Sequence, residues 1–418
     1  MKPCAIRESA VAVAAAVADR LATPEQGRAL AGDQWWPQSL AQGAAGITLL
    51  HIERARTGHG SWDRVHRWLE CAVADGVQSS TRAHLYYGAP ALAFVLHQAV
   101  RAGAAYENEL ARLDAVVDRI VVQRLEWAHA RISRAELPTL NEFDAIRGLA
   151  GLGVLLLLRA PGTSLVKDVL AYLVRLTEPI SVSGRELPGW WTPVGPGGRT
   201  SADFPGGHAN NGMAHGIAGV LSVLAVAALN GTSVSGQHEA IRRICAWFDR
   251  WRRVGLGGVW WPYWITPALY RDDEEPSGPR RPSWCYGTSG IARAQQLAAR
   301  ALKDTERHAA AEAALRDALT HPAALAKVDD ASLCHGYAGL ALLAHHSGQA
   351  DPDALLNAIM DGASADAVAR RLIAHRGINL LEGAAGTATA LHTLGGAQPG
   401  TEGDSLLMIT GKAVAPHG

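Results

Sequence analysis

Leu333-Cys334-His335-Gly336-Tyr337-Ala338-Gly339, running into Leu340-Ala341-Leu342-Leu343, sets a thiol and an imidazole side by side at the mouth of an apolar helix. Two glycines three positions apart strip one face of the first helical turn, so that other backbone can come close. The same opening returns along the chain as Gly43-Ala44-Ala45-Gly46, Gly88-Ala89-Pro90-Ala91, Gly148-Leu149-Ala150-Gly151, Gly216-Ile217-Ala218-Gly219, Gly287-Thr288-Ser289-Gly290 and Gly383-Ala384-Ala385-Gly386. The starts lie about 45 to 70 residues apart, the size of a helical hairpin plus a loop.

Amphipathic stretches of another kind separate these openings. Trp62, Val65, Trp68, Leu69 and Val73 fall at helical spacing, and 114–127, 164–176, 237–251 and 305–318 read as further helices with charged outer faces. One glycine-started inner helix and one amphipathic outer helix per unit predict an all-α fold, a closed (α/α) toroid of seven helical hairpins. An open solenoid is the alternative, but no unit looks like a polar cap. Residues 1–395 read as a single domain, with 396–418 as a glycine-rich tail. Two stretches rich in glycine, proline and tryptophan, about 183–212 and 254–282, read as insertions holding short strands at the rim of one end. They carry Trp190-Trp191 and Trp260-Trp261, and each leads into an opening that bears chemistry. The glycine-rich loop 195–207 fits no motif, and the acidic run Asp272 to Glu275 reads as a solvated loop tip.

Composition narrows the classes. The 418 residues are 48% hydrophobic and 19% charged with a formal net charge of zero, which gives no electrostatic case for nucleic acid or an anionic membrane as partner. The apolar run near 148–158 is too short to span a bilayer. Five scattered cysteines make no disulfide framework, so a reducing, cytoplasmic setting is expected. Ala10 to Ala18 has the small apolar character of a signal peptide, but Glu8 interrupts its basic flank and Asp19-Arg20 continue it as an ordinary helix.

Reactive side chains sit at or just before the first glycine of four openings. Asp144 precedes Gly148, His215 precedes Gly216, Cys285 precedes Gly287, and Cys334-His335 precede Gly336. In a toroid, equivalent positions of successive units come to the same end, so these residues converge. Cys285, Cys334 and His335 make a donor set suited to one zinc ion with an open coordination position. Cys71 and Cys245 lie within outer helices and read as small hydrophobes. His51, His84, His208 and His375 read as structural. His215 fits either an acid–base group or a helix-start hydrogen bonder, and Asp144 either chemistry or a helix N-cap. A zinc with two thiolate ligands favours presenting a substrate thiolate over polarising water, and a neutral-pH acid such as His215 can then protonate the carbanion left by thiolate addition to a conjugated alkene.

Gly212-Met213-Ala214-His215-Gly216-Ile217-Ala218-Gly219, Trp284-Cys285-Tyr286-Gly287 and Cys334-His335-Gly336 together resemble the signature motifs of the lanthionine synthetase C-like cyclases. The resemblance covers nearly the whole chain, including the helical repeat; Ala91 in place of a second glycine departs from it. It implies one zinc held by Cys285, Cys334 and His335, and Michael addition of precursor-peptide cysteines to dehydroalanine or dehydrobutyrine, giving lanthionine or methyllanthionine rings. It also implies active-site roles for His215, Asp144, Tyr286 and Arg281, the last by its place four before Cys285. The implied substrate is a dehydrated precursor peptide, with a dehydratase and a transporter as companions in a biosynthetic complex. Two rival readings are another thiol-activating zinc enzyme on a helical toroid, such as a prenyltransferase, and a cyclase-like scaffold that binds peptides without turnover. The first uses an Asp-Cys-His ligand set, which two cysteines at equivalent repeat positions argue against.

Overall fold

The structure, a computed structural model, describes residues 3–33, 35–182, 184–396 and 402–411. Each glycine opening becomes the N-terminus of an inner helix: Ala44–Arg56, Ala89–Arg101, Leu149–Arg159, Ile217–Leu229, Thr288–Leu302, Tyr337–Ser347 and Ala384–Gly395. These helices are apolar on nearly all sides, and Ile217 to Ala225 is buried without a break, as expected of a helix enclosed by others. The outer helices Trp62–Val73, Glu107–Ser133, Ser164–Leu176, Gln237–Trp251 and Thr305–Thr320 follow them in alternation. Trp62–Val73 starts where Ser61 accepts from the Asp63 N–H, and it buries Val65, Trp68, Leu69 and Ala72 on one face.

The chain divides into two compact units, Met1–Val117 with Val328–Asp404 and Asp118–Lys327 with Ser405–Gly418. In the first, the N-terminal helix Pro3–Arg20 lies against Ala384–Gly395, Ala365–Arg376 and Pro352–Met360. Its Ala10, Val13, Ala14, Val17 and Ala18 are buried, so the small-residue stretch of the sequence is core. In the second, Ile217–Leu229 packs against Leu149–Arg159 on one side and Thr288–Leu302 on the other.

The second glycine of an opening has a concrete reason. A Cβ at Gly386 would stand 1.7 Å from the Leu380 carbonyl oxygen, and one at Gly290 would stand 2.0 Å from that of Trp284. The lead-in loop folds back over the first helical turn, and only hydrogen fits between. In the second helical repeat the crowding falls instead on Gly88, at φ +75, against Gln78 O, and Ala91 is accommodated although fully buried.

Backbone hydrogen bonds join lead-in loops of neighbouring repeats at matching positions. Ala145 N–H donates to Ala214 O and Ala214 N–H to Cys285 O, both at 3.1 Å; in the other unit Cys334 N–H donates to Leu381 O at 2.9 Å. This is the physical basis for equivalent positions gathering at one end.

The two insertions carry short strands and are stitched together. Ile180–Val182 pairs with Arg185–Leu187, Arg253–Gly255 with Gly258–Trp260, and Ala209–Asn210 with Trp264–Ile265, all antiparallel. Trp190, Trp191, Trp260 and Trp261 face inward as core; the aromatic residues left near the opening are Tyr263 and Trp264. The acidic run Asp272 to Glu275 is exposed. Part of the expected tail is packed: Leu406, Leu407, Met408 and Ile409 are buried, Leu407 O accepts from Trp284 Nε1 and Ile409 O from Arg293 Nε. The rest of that tail, 397–401 and 412–418, lies outside the described residues. No described helix is long and apolar enough to cross a membrane.

Burial pushes the His51 imidazole from 6.5 down to about 4, where its Nε2 donates to Leu21 O at 2.7 Å. A histidine depressed in the folded state binds its proton more readily in the unfolded chain. Its stabilisation is complete above pH 6.5 and is lost as pH falls toward 4. The loss for one such histidine reaches about 2 kcal/mol near pH 5. Thermal unfolding followed from neutral to mildly acidic pH should show this fall, and His51→Gln should flatten it; an unchanged slope in that variant would contradict the assignment.

Candidate metal centre

The lead-in loop Ser332–Gly336 is shaped by Asp330. Its Oδ1 accepts from the Ser332 N–H at 2.9 Å and the Ser332 hydroxyl at 2.8 Å, and the Ser332 hydroxyl oxygen in turn accepts from the His335 N–H. A Cβ at Gly336 would stand 2.2 Å from Asp330 Oδ1 and 2.2 Å from Ser332 N, so this tight loop needs glycine there. The upstream loop repeats the device with Ser283, whose hydroxyl oxygen accepts from the Tyr286 and Gly287 N–H groups and lies 3.5 Å from Cys285 Sγ. Cys285, Cys334 and His335 then offer two sulfurs and a ring nitrogen that all lie within 4.8 Å of one another.

This donor set fits a zinc ion. Soft thiolates and an imidazole suit it, and three protein ligands leave a fourth position open. His335 Nε2 stands 2.9 Å from Asp330 Oδ2, so Nδ1 is the nitrogen left for a metal. Burial works against charge on Asp330, but His335 and Ser332 hold its carboxyl well below the usual carboxylate range. A carboxylate behind a histidine ligand fixes the tautomer and aims the ring. The helices Thr288–Leu302 and Tyr337–Ser347 begin just after these side chains, and their N-terminal partial charge favours thiolate.

His215 and Asp144 are brought together, with Nδ1 of the first 2.6 Å from Oδ2 of the second. Asp144 is fully buried, and His215 keeps 27% of its side-chain surface. Asp144 Oδ1 caps the turn by accepting from the Arg147 and Gly148 N–H groups, while Oδ2 faces the imidazole. His215 Nε2 is therefore the nitrogen available to a substrate. The ring of Tyr286 lies 6.1 Å from His215, stacks on Tyr263 at 5.5 Å and meets Trp264 edge-on at 5.7 Å. Arg281, four residues before Cys285, is half-buried, and its carbonyl accepts from the Tyr263 hydroxyl at 2.7 Å.

Asp330, Tyr263 and Trp264 escaped the sequence reading. A carboxylate five residues before His335 was the only available signal for the first. Tyr263 and Trp264 follow a tryptophan pair that drew attention to itself. Burial pushes the Tyr263 phenol up to about 12, so it stays neutral beside the thiol. Of the residues set aside, Cys245 is buried and its thiol is pushed up to about 11 by that burial, which makes it inert. His51 and His208 are bound to the carbonyls of Leu21 and Val194, His84 Nδ1 accepts from the Tyr86 N–H, and His375 is exposed.

Known proteins resemble the chain in sequence and in fold. The chain is 23% identical to the nisin biosynthesis protein NisC of Lactococcus lactis subsp. lactis over 323 residues, 72% of each chain. Its structure is similar to that of a nisin cyclase with a TM-score of 0.75 at 22% identity, covering 92% of this chain and 95% of that one. That likeness bears out the expected helical toroid. The model of the family described as lanthionine synthetase C-like protein matches residues 34–399. The chain belongs to the lanthionine synthetase C-like family.

Proposed function

We propose that this chain is a zinc-dependent peptide cyclase that forms lanthionine or methyllanthionine rings in a dehydrated precursor peptide. The observation that carries the reading is the gathering of Cys285, Cys334 and His335 within 4.8 Å, two repeats contributing to one donor set. Zinc bound by these residues would supply one thing: a substrate cysteine held as thiolate near neutral pH.

The remaining work falls to the chain itself. In the ring-closing step the peptide sulfur bonds to the β-carbon of dehydroalanine or dehydrobutyrine, the alkene π pair moves to the α-carbon, and a proton is delivered there. His215 is placed to deliver that proton from Nε2, because Asp144 holds Nδ1 and stabilises the charged ring. Tyr286, stacked on Tyr263 and tilted toward His215, closes one side of the site, and with Trp264 it offers an apolar wall to the peptide. Arg281, four residues before Cys285, would steady developing negative charge on the substrate carbonyl. In this reading residues 1–395 act as one cyclase domain in the cytoplasm, and nisin biosynthesis by the relative supports a peptide as substrate. A dehydratase and a transporter are the partners it implies.

The test is direct. The zinc-loaded protein is incubated with a dehydrated precursor peptide, free thiols are alkylated, and the product is weighed. Cyclisation protects the ring-forming cysteines from alkylation without changing the mass of the unalkylated peptide. A peptide whose thiols all remain alkylatable, from a protein that holds zinc and binds it, would make the chain a scaffold instead.

A further inference from the structure

We propose that Arg376 is a positioning residue for the metal centre, acting through Asp330 to fix His335; this rests on the zinc reading above. Asp330 is a fully buried carboxylate with a divided role. Oδ1 is committed to the Ser332 loop, while Oδ2 stands 2.9 Å from His335 Nε2 and 2.9 Å from Arg376 Nη2. A neutral histidine that gives Nδ1 to a metal carries its proton on Nε2, toward Asp330, leaving the carboxylate's full charge without a counterion from that side. A buried charge needs a partner, and Arg376 is the cation that meets it. The neighbouring Asp329 is a weaker claimant, at 3.9 Å from the same guanidinium nitrogen.

The placement of Arg376 is built into the fold. It is the last residue of the helix Ala365–Arg376, which stops at Gly377 with φ +73, and the chain then turns into the opening at Gly383. The helix end thus sets where the Arg376 side chain starts, and its guanidinium reaches Asp330 from a partly exposed position. Asp330 and Arg376 also border an open cavity of about 440 Å³ whose lining is mixed, with Asp361, Arg371 and Glu382 beside Ile359 and Leu372. A shorter polar side chain at 376 would face water there and not a dry void, so substitution is expected to leave the fold in place.

The experiment measures zinc affinity by competition with a chromogenic chelator, and records cobalt(II) absorption of the substituted protein. Arg376→Gln should weaken zinc binding about 10–100-fold, the range for partners that orient a metal-bound histidine. Cobalt thiolate charge-transfer bands should persist while the ligand-field bands shift, because both sulfurs remain and only the imidazole is loosened. Arg376→Lys, which restores the charge, should recover part of the affinity. Asp330→Asn, close in shape and still able to accept from Ser332, should lose at least as much as Arg376→Gln, and it serves should that variant not fold. Zinc affinity and cobalt spectra equal to wild type in both variants would overturn the proposal while leaving the zinc reading intact. A wild-type chain that takes up no zinc would overturn both.

Discussion

Cys334→Ala should lose metal and ring formation together. Three protein donors make up the proposed site, and a zinc site of this kind has apparent binding free energies of about 10–16 kcal/mol, so one ligand in three or four is worth on the order of 3–5 kcal/mol. That corresponds to an affinity loss of about 10²–10³-fold or more. The fold has no reason to fail, because the contact Cys334 makes with its neighbour loop is through its backbone N–H to Leu381 O, which alanine keeps. Cys285→Ala should behave alike, since its carbonyl still accepts from the Ala214 N–H. Metal content by plasma mass spectrometry and the alkylation assay read the two consequences separately. Full zinc occupancy in either variant would remove that cysteine from the ligand set.

His215→Asn should separate them. Asparagine can still bond to Asp144, so the loop stays in place, but the proton donor at Nε2 is gone. Removal of a positioned acid typically slows a reaction about 10²–10⁴-fold, and that loss should fall on the single-turnover rate with zinc content unchanged. Asp144→Asn should produce a related defect by a different route. Oδ1 keeps its cap to Arg147 and Gly148, while the group facing His215 Nδ1 becomes a donor and turns the ring or its tautomer. If His215→Asn arrived without zinc, the histidine would belong to the metal's support and not to proton transfer.

Much of the fold was written in the glycines. Gly290, Gly339 and Gly386 each face a carbonyl oxygen six residues back, so the spacing of small residues recorded a steric demand that repeats with the structure. The candidate donors were legible for the same reason, as Cys285 and Cys334 stand at one repeat position and His335 follows directly. Periodicity marks Pro3–Arg20 as a helix but does not say which helix it covers, so its docking on Ala384–Gly395 had no local signature. Arg376 and Asp330 were equally silent: 46 residues separate them, and each alone looks like a surface charge. The place of the tryptophan pairs was not legible, because large aromatic residues in a loop can fill core as readily as line a rim. Trp261 sits inside with its Nε1 bonded to Phe248 O.

The pattern of loop-to-loop hydrogen bonds within each compact unit has an evolutionary corollary. Ala145, Ala214, Cys285, Cys334 and Leu381 engage it through main-chain atoms alone, so it is indifferent to which side chain each of them carries. Alanine, leucine and cysteine already occupy interchangeable stations along it. A scaffold wired in this way can gain or shed a reactive group at any station without disturbing its architecture, which makes a change of chemistry a matter of single codons.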